Sequence, residues 1–263
     1  MASMVVGCGS KEEAAAPAPE AATEEAAAES DLAYVKEKGV LVVGITDFAP
    51  MDYKNEDGEW IGFDADMAKY FGGKLGVEVE FVEIDWDNKI LELDAKSVDC
   101  IWNGMTLTDE VKAAMDCSNA YCNNAQVVIV PTAKAQDFQD VESLADLTFA
   151  VEAGSAGEAE ATALGLNCTP VKAQSDALME VAAGTSDAAV IDSLMAAAMV
   201  GDGTSYEDLT YTVSLNSEEY GVGFRKGSDL VAALNDFFAA AYADGTMTAC
   251  AETYGVQAAL IEQ

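Results

Sequence analysis

From Gly39 onward the chain alternates between short apolar runs and amphipathic stretches. Val40–Ile45 (VLVVGI) is a β-branched run that predicts a strand, and the polar turn Asn55-Glu56-Asp57-Gly58 closes a hairpin-like connection behind it. Asp64–Leu75 sets Met67, Tyr70, Phe71 and Leu75 at helical spacing and stops at Gly76. Val77–Ile84 reads as a strand, and Asp87–Lys96 as a helix with Ile90, Leu91 and Leu93 on one side. Asp99–Trp102 is a short strand leading into a loop, Asn103-Gly104-Met105-Thr106, before a helix that opens at Thr108 with Val111 and Lys112.

A second block repeats the alternation. Gln126–Val130, Thr148–Val151, Thr169–Lys172 and Ala188–Ile191 read as strands, and Ala156–Leu164, Ser175–Ala183 and Ser193–Val200 as helices. After a polar loop, Leu209–Val213 and Gly221–Phe224 are strands, and Leu230–Tyr242 and Met247–Tyr254 finish the chain as helices. Strand–helix alternation in two blocks, with no short internal repeat, predicts an α/β fold of two lobes with mainly parallel sheets. A crevice between the lobes would be lined by loops at the C-terminal ends of strands.

The first 34 residues follow another rule. Lys11 to Ser30 is Ala, Glu, Pro and Thr without apolar periodicity, the composition of a solvated spacer. Before it, Val5-Val6-Gly7-Cys8-Gly9-Ser10 is similar to a bacterial lipoprotein processing box, in which Cys8 carries the lipid. The match is incomplete, because only seven residues precede Cys8 and a signal peptide needs a basic start and a longer apolar stretch. The alternative is a free cysteine in a polar tail. Nothing else reaches the run of about 18 apolar residues that a spanning helix needs, so a membrane enters only through a lipid anchor.

The charge narrows the partners. Asp and Glu number 47 against 13 Lys plus Arg, a formal charge of −34, which argues against nucleic acid or an anionic membrane surface. With no histidine, the commonest general base and metal ligand is missing. Of the 13 basic residues only Arg225 is an arginine, so bidentate carboxylate grips are scarce. Cys100, Cys117, Cys122, Cys168 and Cys250 show no zinc spacing; Cys117 and Cys122 are near enough for a short disulfide, with buried free thiols the safer reading. The carboxylates are scattered without a calcium-loop pattern, and no metal or cofactor is expected.

Four segments bring in a resemblance over about residues 35–258. They are Gly44-Ile45-Thr46-Asp47-Phe48-Ala49-Pro50-Met51 with Gly58-Glu59-Trp60-Ile61-Gly62-Phe63-Asp64-Ala65-Asp66, Asp99 to Thr108 (DCIWNGMTLT), Ala153-Gly154-Ser155, and Gly184–Asp192 (GTSDAAVID). In this order and spacing the chain resembles the extracellular solute-binding proteins of amino-acid ABC transporters, solute-binding family 3. The resemblance implies a two-lobed Venus flytrap: lobe 1 from 35–129 plus 222–263, lobe 2 from 130–221, joined by two hinge strands. Such a protein captures a small solute by closing over it and delivers it to a membrane permease. It would be a monomer on the extracellular face of the cytoplasmic membrane or in the periplasm.

By this resemblance Asp47 lies near a ligand's amino group or cationic side chain, and Phe48 supplies an aromatic wall. The Gly104 carbonyl and the Thr106 hydroxyl, beside Asn103, take an ammonium group, and Asp192 pairs with the α-ammonium. Trp86 is either a second wall or a rim tryptophan, and Trp102 either core or pocket. The bland alternatives for Asp47 and Asp192 are caps of a turn and of the following helix. The family's carboxylate-clamping arginine falls at Val111, with Lys112 about 100° round the helix. Ser155 keeps a hydroxyl, but Ala156 stands where a second is common, and Arg225 falls where the family often has a basic surface residue. Half of the usual carboxylate grip is therefore missing, while a helix N-terminus at Ser155–Gly157 offers backbone donors. Two ligand classes stay open: a neutral amino acid held through backbone donors, and a cationic amine with a weak or absent carboxylate, held also by the faces of Phe48 and Trp86. Anionic amino acids such as glutamate do not fit.

A binding protein rather than an enzyme is expected. The competing classes are a dehydratase-like enzyme on the same fold, using Asp47 or Asp192 on an amino-acid-like acid, and a sensory domain, which would normally be fused to a membrane helix.

Overall fold

Two sheets carry the chain in the computed structural model, which describes residues 1–4 and 30–263. Cys8 and the tail after it, through Glu29, lie outside the described residues. Among the described residues the first element is α1 (Asp31–Lys38), whose first turn is capped by the Ser30 hydroxyl accepting from the Ala33 N–H at 2.9 Å. The spacer composition therefore ends earlier than residue 34.

The first lobe continues through β1 (Val40–Ile45), the hairpin β2 (Tyr53–Lys54) and β3 (Trp60–Ile61), α2 (Phe63–Leu75) and β4 (Glu78–Glu83). The Asn55–Gly58 turn sits between β2 and β3, held by the Asn55 side chain, which accepts from the Asp57 and Glu59 N–H groups. A 3-10 turn, Trp86–Asn88, leads into α3 (Lys89–Asp94), then β5 (Cys100–Thr106), α4 (Asp109–Ala114), β6 (Asp116–Cys117) and β7 (Cys122–Asn124). The second lobe holds β8 (Gln126–Pro131), β9 (Thr148–Glu152), α5 (Ala156–Ala163), β10 (Asn167–Val171), α6 (Gln174–Ala183), β11 (Ala188–Asp192), α7 (Ser193–Met199) and β12 (Leu209–Ser214). The chain then returns through β13 (Glu218–Phe224) to close lobe 1 with α8 (Leu230–Ala243) and α9 (Thr246–Tyr254).

The strand orders are β4-β1-β5-β13-β6, with β7 also on β13, and β10-β9-β11-β8-β12. Strands separated by helices pair in parallel: β1 with β4 and β5, and β9 with β10 and β11. The crossing strands β8 and β13 enter without a helical return and run antiparallel to every neighbour, so both sheets are mixed. The sheets change between Asn124 and Gln126 and between Ser214 and Glu218, a few residues before the expected 129/130 and 221/222.

Two local expectations are corrected. Asn103–Thr106 is not a loop: it is the end of β5, with Met105 paired to Gly221 and Thr106 to Tyr220. Gly104 keeps a left-handed backbone inside it (φ 54°), and a Cβ there would meet the Phe48 ring at 2.3 Å. Arg225 is not a surface residue either. It is 9% exposed and ties α1 to the sheet, pairing with Asp31 at 3.0 Å and donating to the Val98 carbonyl at 2.8 Å.

Lobe 1 is built on rings. Phe71, Trp102, Tyr121, Phe237 and Phe238 stack with centroids 5.5–6.3 Å apart between the sheet and helices α2 and α8. Each buried ring contributes about 1.5–3 kcal/mol. Lobe 2 is mainly aliphatic, with Val128, Val130, Val151 and Val190 around the single buried ring of Phe149. The five cysteines among the described residues are free thiols, and Cys117 and Cys122 form no disulfide.

Candidate functional site

A cavity of about 900 Å³ lies between the two sheets, lined from lobe 1 by the ends of β1 and β5 and from lobe 2 by the ends of β9 and β11 and by α5. Strand ends converge here because each parallel strand stops where its chain turns into a helix. Phe48, Trp86, Asn103, Gly104, Thr106, Val111, Ser155, Ala156 and Asp192 all line it. Two other expected residues do not. Trp102 is 1% exposed within the lobe 1 core, where it packs against Phe71 and Phe238. Asp47 is exposed and lies off the cavity wall, its carboxyl drawn upward by partial burial and by Glu83.

Asp192 ends β11 and is 4% exposed. Its side chain does not cap α7. Oδ1 accepts from Gln126 Nε2 at 2.9 Å, the Tyr220 hydroxyl at 2.8 Å and Asn124 Nδ2; Oδ2 accepts from Gln174 Nε2. Burial, and then Glu218, push its carboxyl up to about 7 despite these donors. Glu218 shares two of them: its Oε1 accepts from Asn124 at 2.7 Å and Gln126 at 2.8 Å, and also from the Thr106 hydroxyl at 2.8 Å. The site is thus wired to both crossing segments.

The other lobe 1 groups are largely occupied. Asn103 Oδ1 accepts from the Thr46 N–H and hydroxyl, and its Nδ2 donates to the Thr46 carbonyl and to Asp52 at 2.8 Å. The Gly104 N–H donates to Asp64 at 2.6 Å. Val111 joins an apolar cluster with Trp86, Leu93 and Met105, so the clamp position is greasy. Lys112 is exposed and lines a separate hollow. At the start of α5 the Ser155 hydroxyl accepts from the Glu158 N–H at 3.0 Å, and the Glu158 carboxylate takes the Gly154 N–H at 2.7 Å. The protein's own carboxylate therefore occupies part of the helix end that a ligand carboxylate would seek.

Several groups escaped the sequence reading. Lys89 is 8% exposed; its ammonium donates to the Trp86 carbonyl at 3.2 Å and across the cleft to Gly154 at 2.8 Å, and lies 5.0 Å from the Trp86 ring centroid. Burial lowers its pKa, while Glu152, Glu110 and Asp87 work against that. One face of Trp86 thus already carries a cation. Glu152 ends β9 at 3% exposure, lines the cavity, and its Oε1 has no partner. Burial, and then Asp192, push its carboxyl up to about 8; Gln174, Lys89 and Thr46 oppose this. The signal was present: Glu152 interrupts an apolar strand as Asp192 does.

The wall is acidic. Seven carboxyl side chains (Asp87, Asp109, Glu110, Glu152, Glu158, Glu160 and Asp192) line the cavity against one ammonium, Lys89. Among the described residues no cluster of three or more His, Cys, Asp or Glu side chains could hold a metal, and no helix is long and apolar enough to cross a membrane.

The chain is similar to known proteins in sequence and in fold. The profile of the family described as bacterial extracellular solute-binding proteins, family 3, matches residues 41–257. The L-cystine-binding protein TcyJ of Escherichia coli K12 is 28% identical over 225 residues, covering 84% of each chain. The arginine-binding extracellular protein ArtP of Bacillus subtilis is 31% identical over 207 residues, 75% of this chain and 79% of its own. Among solved structures, the ancestral amino acid-binding protein AncCDT-1, a precursor of cyclohexadienyl dehydratase, superposes with a TM-score of 0.79 at 30% identity over 86% of this chain and 99% of its own.

Proposed function

The chain belongs to the bacterial extracellular solute-binding proteins, family 3, and on that premise we propose that it captures an amino acid or another amine-bearing small solute between its lobes for delivery to an ABC permease. The observation that carries this reading is Asp192: a buried carboxyl at a strand end, on the cavity wall, linked through Gln126 and Asn124 to the crossing segments. A ligand ammonium placed there contacts lobe 2 directly, and the wall formed by Phe48, Asn103, Gly104 and Thr106 faces it from lobe 1. Only the closed arrangement offers both sets of contacts, so binding favours closure.

The recognition is weighted toward the amine end. Val111 and Ala156 remove two carboxylate-holding side chains, and Glu158 occupies part of the α5 terminus. Seven carboxyls against one ammonium make an anionic ligand costly. The lipid anchor on Cys8 is proposed from the surrounding box, with the acidic tail as tether.

A thermal-melt screen tests the capture reading, with the twenty amino acids beside amines, betaines and nucleosides. A ligand at 100 times its Kd adds about 2.7 kcal/mol, several degrees at this size. Shifts confined to nucleosides, or none at all, overturn it. Mass spectrometry of the membrane fraction, compared with Cys8→Ala, tests the anchor.

A further inference from the structure

We propose that Glu152 is a second carboxylate subsite, built to hold a second cationic group of a solute whose first ammonium sits at Asp192, which makes the solute one with two cationic groups, such as a dibasic amino acid or a diamine. This deepens the capture reading and rests on it.

Asp192 has donors on both oxygens. Glu152 is as deeply buried, at 3% exposure, yet its Oε1 has no donor while it lines the cavity. A buried acceptor left without a partner is costly, and a donor from the ligand removes that cost. The two carboxyls end neighbouring parallel strands, one residue out of register, and both line the cavity, close enough for Asp192 to act electrostatically on Glu152. A hydroxyl from a ligand would also satisfy Glu152, but the surrounding charge selects a cation. The one lining ammonium, on Lys89, is committed to two backbone carbonyls. On the opposite wall Val111 is apolar, and the Thr46 hydroxyl, which faces Glu152, donates to Asn103.

The test uses the full chain and isothermal titration with lysine and with norleucine, which has the same number of side-chain carbons and no side-chain ammonium. The wild-type protein is expected to bind lysine at least 10-fold tighter than norleucine; Glu152→Gln is expected to lose that preference and Glu152→Asp to recover part of it. Equal affinities for the two ligands in the wild type overturn the subsite, and this reading needs no variant to fold. A lysine preference undiminished in Glu152→Gln overturns it as well. If neither these ligands nor any amine binds the wild type, the capture reading falls, a result distinct from the other two.

Discussion

The ammonium of Lys89, on lobe 1, lies 2.8 Å from the carbonyl oxygen of Gly154, on lobe 2, and so bridges the cleft beside the cavity. Gly154 permits this approach. Its backbone is left-handed (φ 69°), and a Cβ there would stand 2.7 Å from the Asp87 Cα. The contact is therefore a latch that depends on a missing side chain and on one buried cation.

Gly154→Ala is expected to weaken ligand binding at least 10-fold while shifting the unliganded melting temperature by only a few degrees. The clash falls between lobes rather than within a core. Lys89→Met removes a charge-assisted hydrogen bond of about 1.5–3 kcal/mol and should also expand the liganded form in small-angle scattering. Full affinity in both variants would show that the latch contributes nothing to closure.

Asp192→Asn is expected to reduce affinity for amine ligands about 100-fold or more. It also replaces an acceptor surrounded by Gln126, Tyr220, Asn124 and Gln174 donors, leaving at least one without a partner, at about 1–3 kcal/mol. Titration calorimetry and denaturant unfolding read the two effects separately.

The unliganded protein should lose stability as pH rises. Glu152 is pushed up to about 8 and Asp192 to about 7, whereas in the unfolded chain both ionise near 4. Between roughly pH 4 and 8 the unfolded state therefore holds fewer protons, and the unfolding free energy falls with pH before levelling off. Asp192 from β11 and Lys89 from α3 are the charged groups acting on Glu152. Glu152→Gln should flatten the slope, and a saturating cationic ligand should oppose it. A melting temperature that climbs from pH 5 to 8 in the wild type would contradict this assignment.

Val111→Arg should restore a carboxylate grip. The side chain would leave an apolar cluster for the cavity wall, at a stability cost of about 1–3 kcal/mol from lost packing. Lysine should gain at least 10-fold over cadaverine relative to the same ratio in the wild type. An unchanged ratio would mean that the α-carboxylate lies elsewhere.

Much of this could be read from residues in order. Val40–Ile45 is β1 residue for residue, because a β-branched run bounded by Gly39 has few alternatives. Asp192 was visible as a carboxylate ending an apolar strand, and Glu152 carried the same mark. What stayed hidden is non-local. Asn103-Gly104 has loop composition, but pairing with β13 and the Asp64 carboxylate on the Gly104 N–H hold it extended. Asp47 has the pattern of a ligand carboxylate, yet β1 ends at Ile45, and of the two residues that follow Thr46 lines the cavity while Asp47 is exposed to solvent. Arg225 could be assigned a burial partner only once α1 brought Asp31 to it, 194 residues away in sequence.

The donors shared by Asp192 and Glu218 have an evolutionary corollary. Asn124 and Gln126 sit at the first crossing between lobes, Glu218 at the second, and the same amides serve the recognition carboxyl. A lineage that rewrote this pocket for another solute would alter the bending of the molecule by the same substitutions. Taste and mechanics are inherited together here, so descendants with new specificities should also differ in how readily they snap shut.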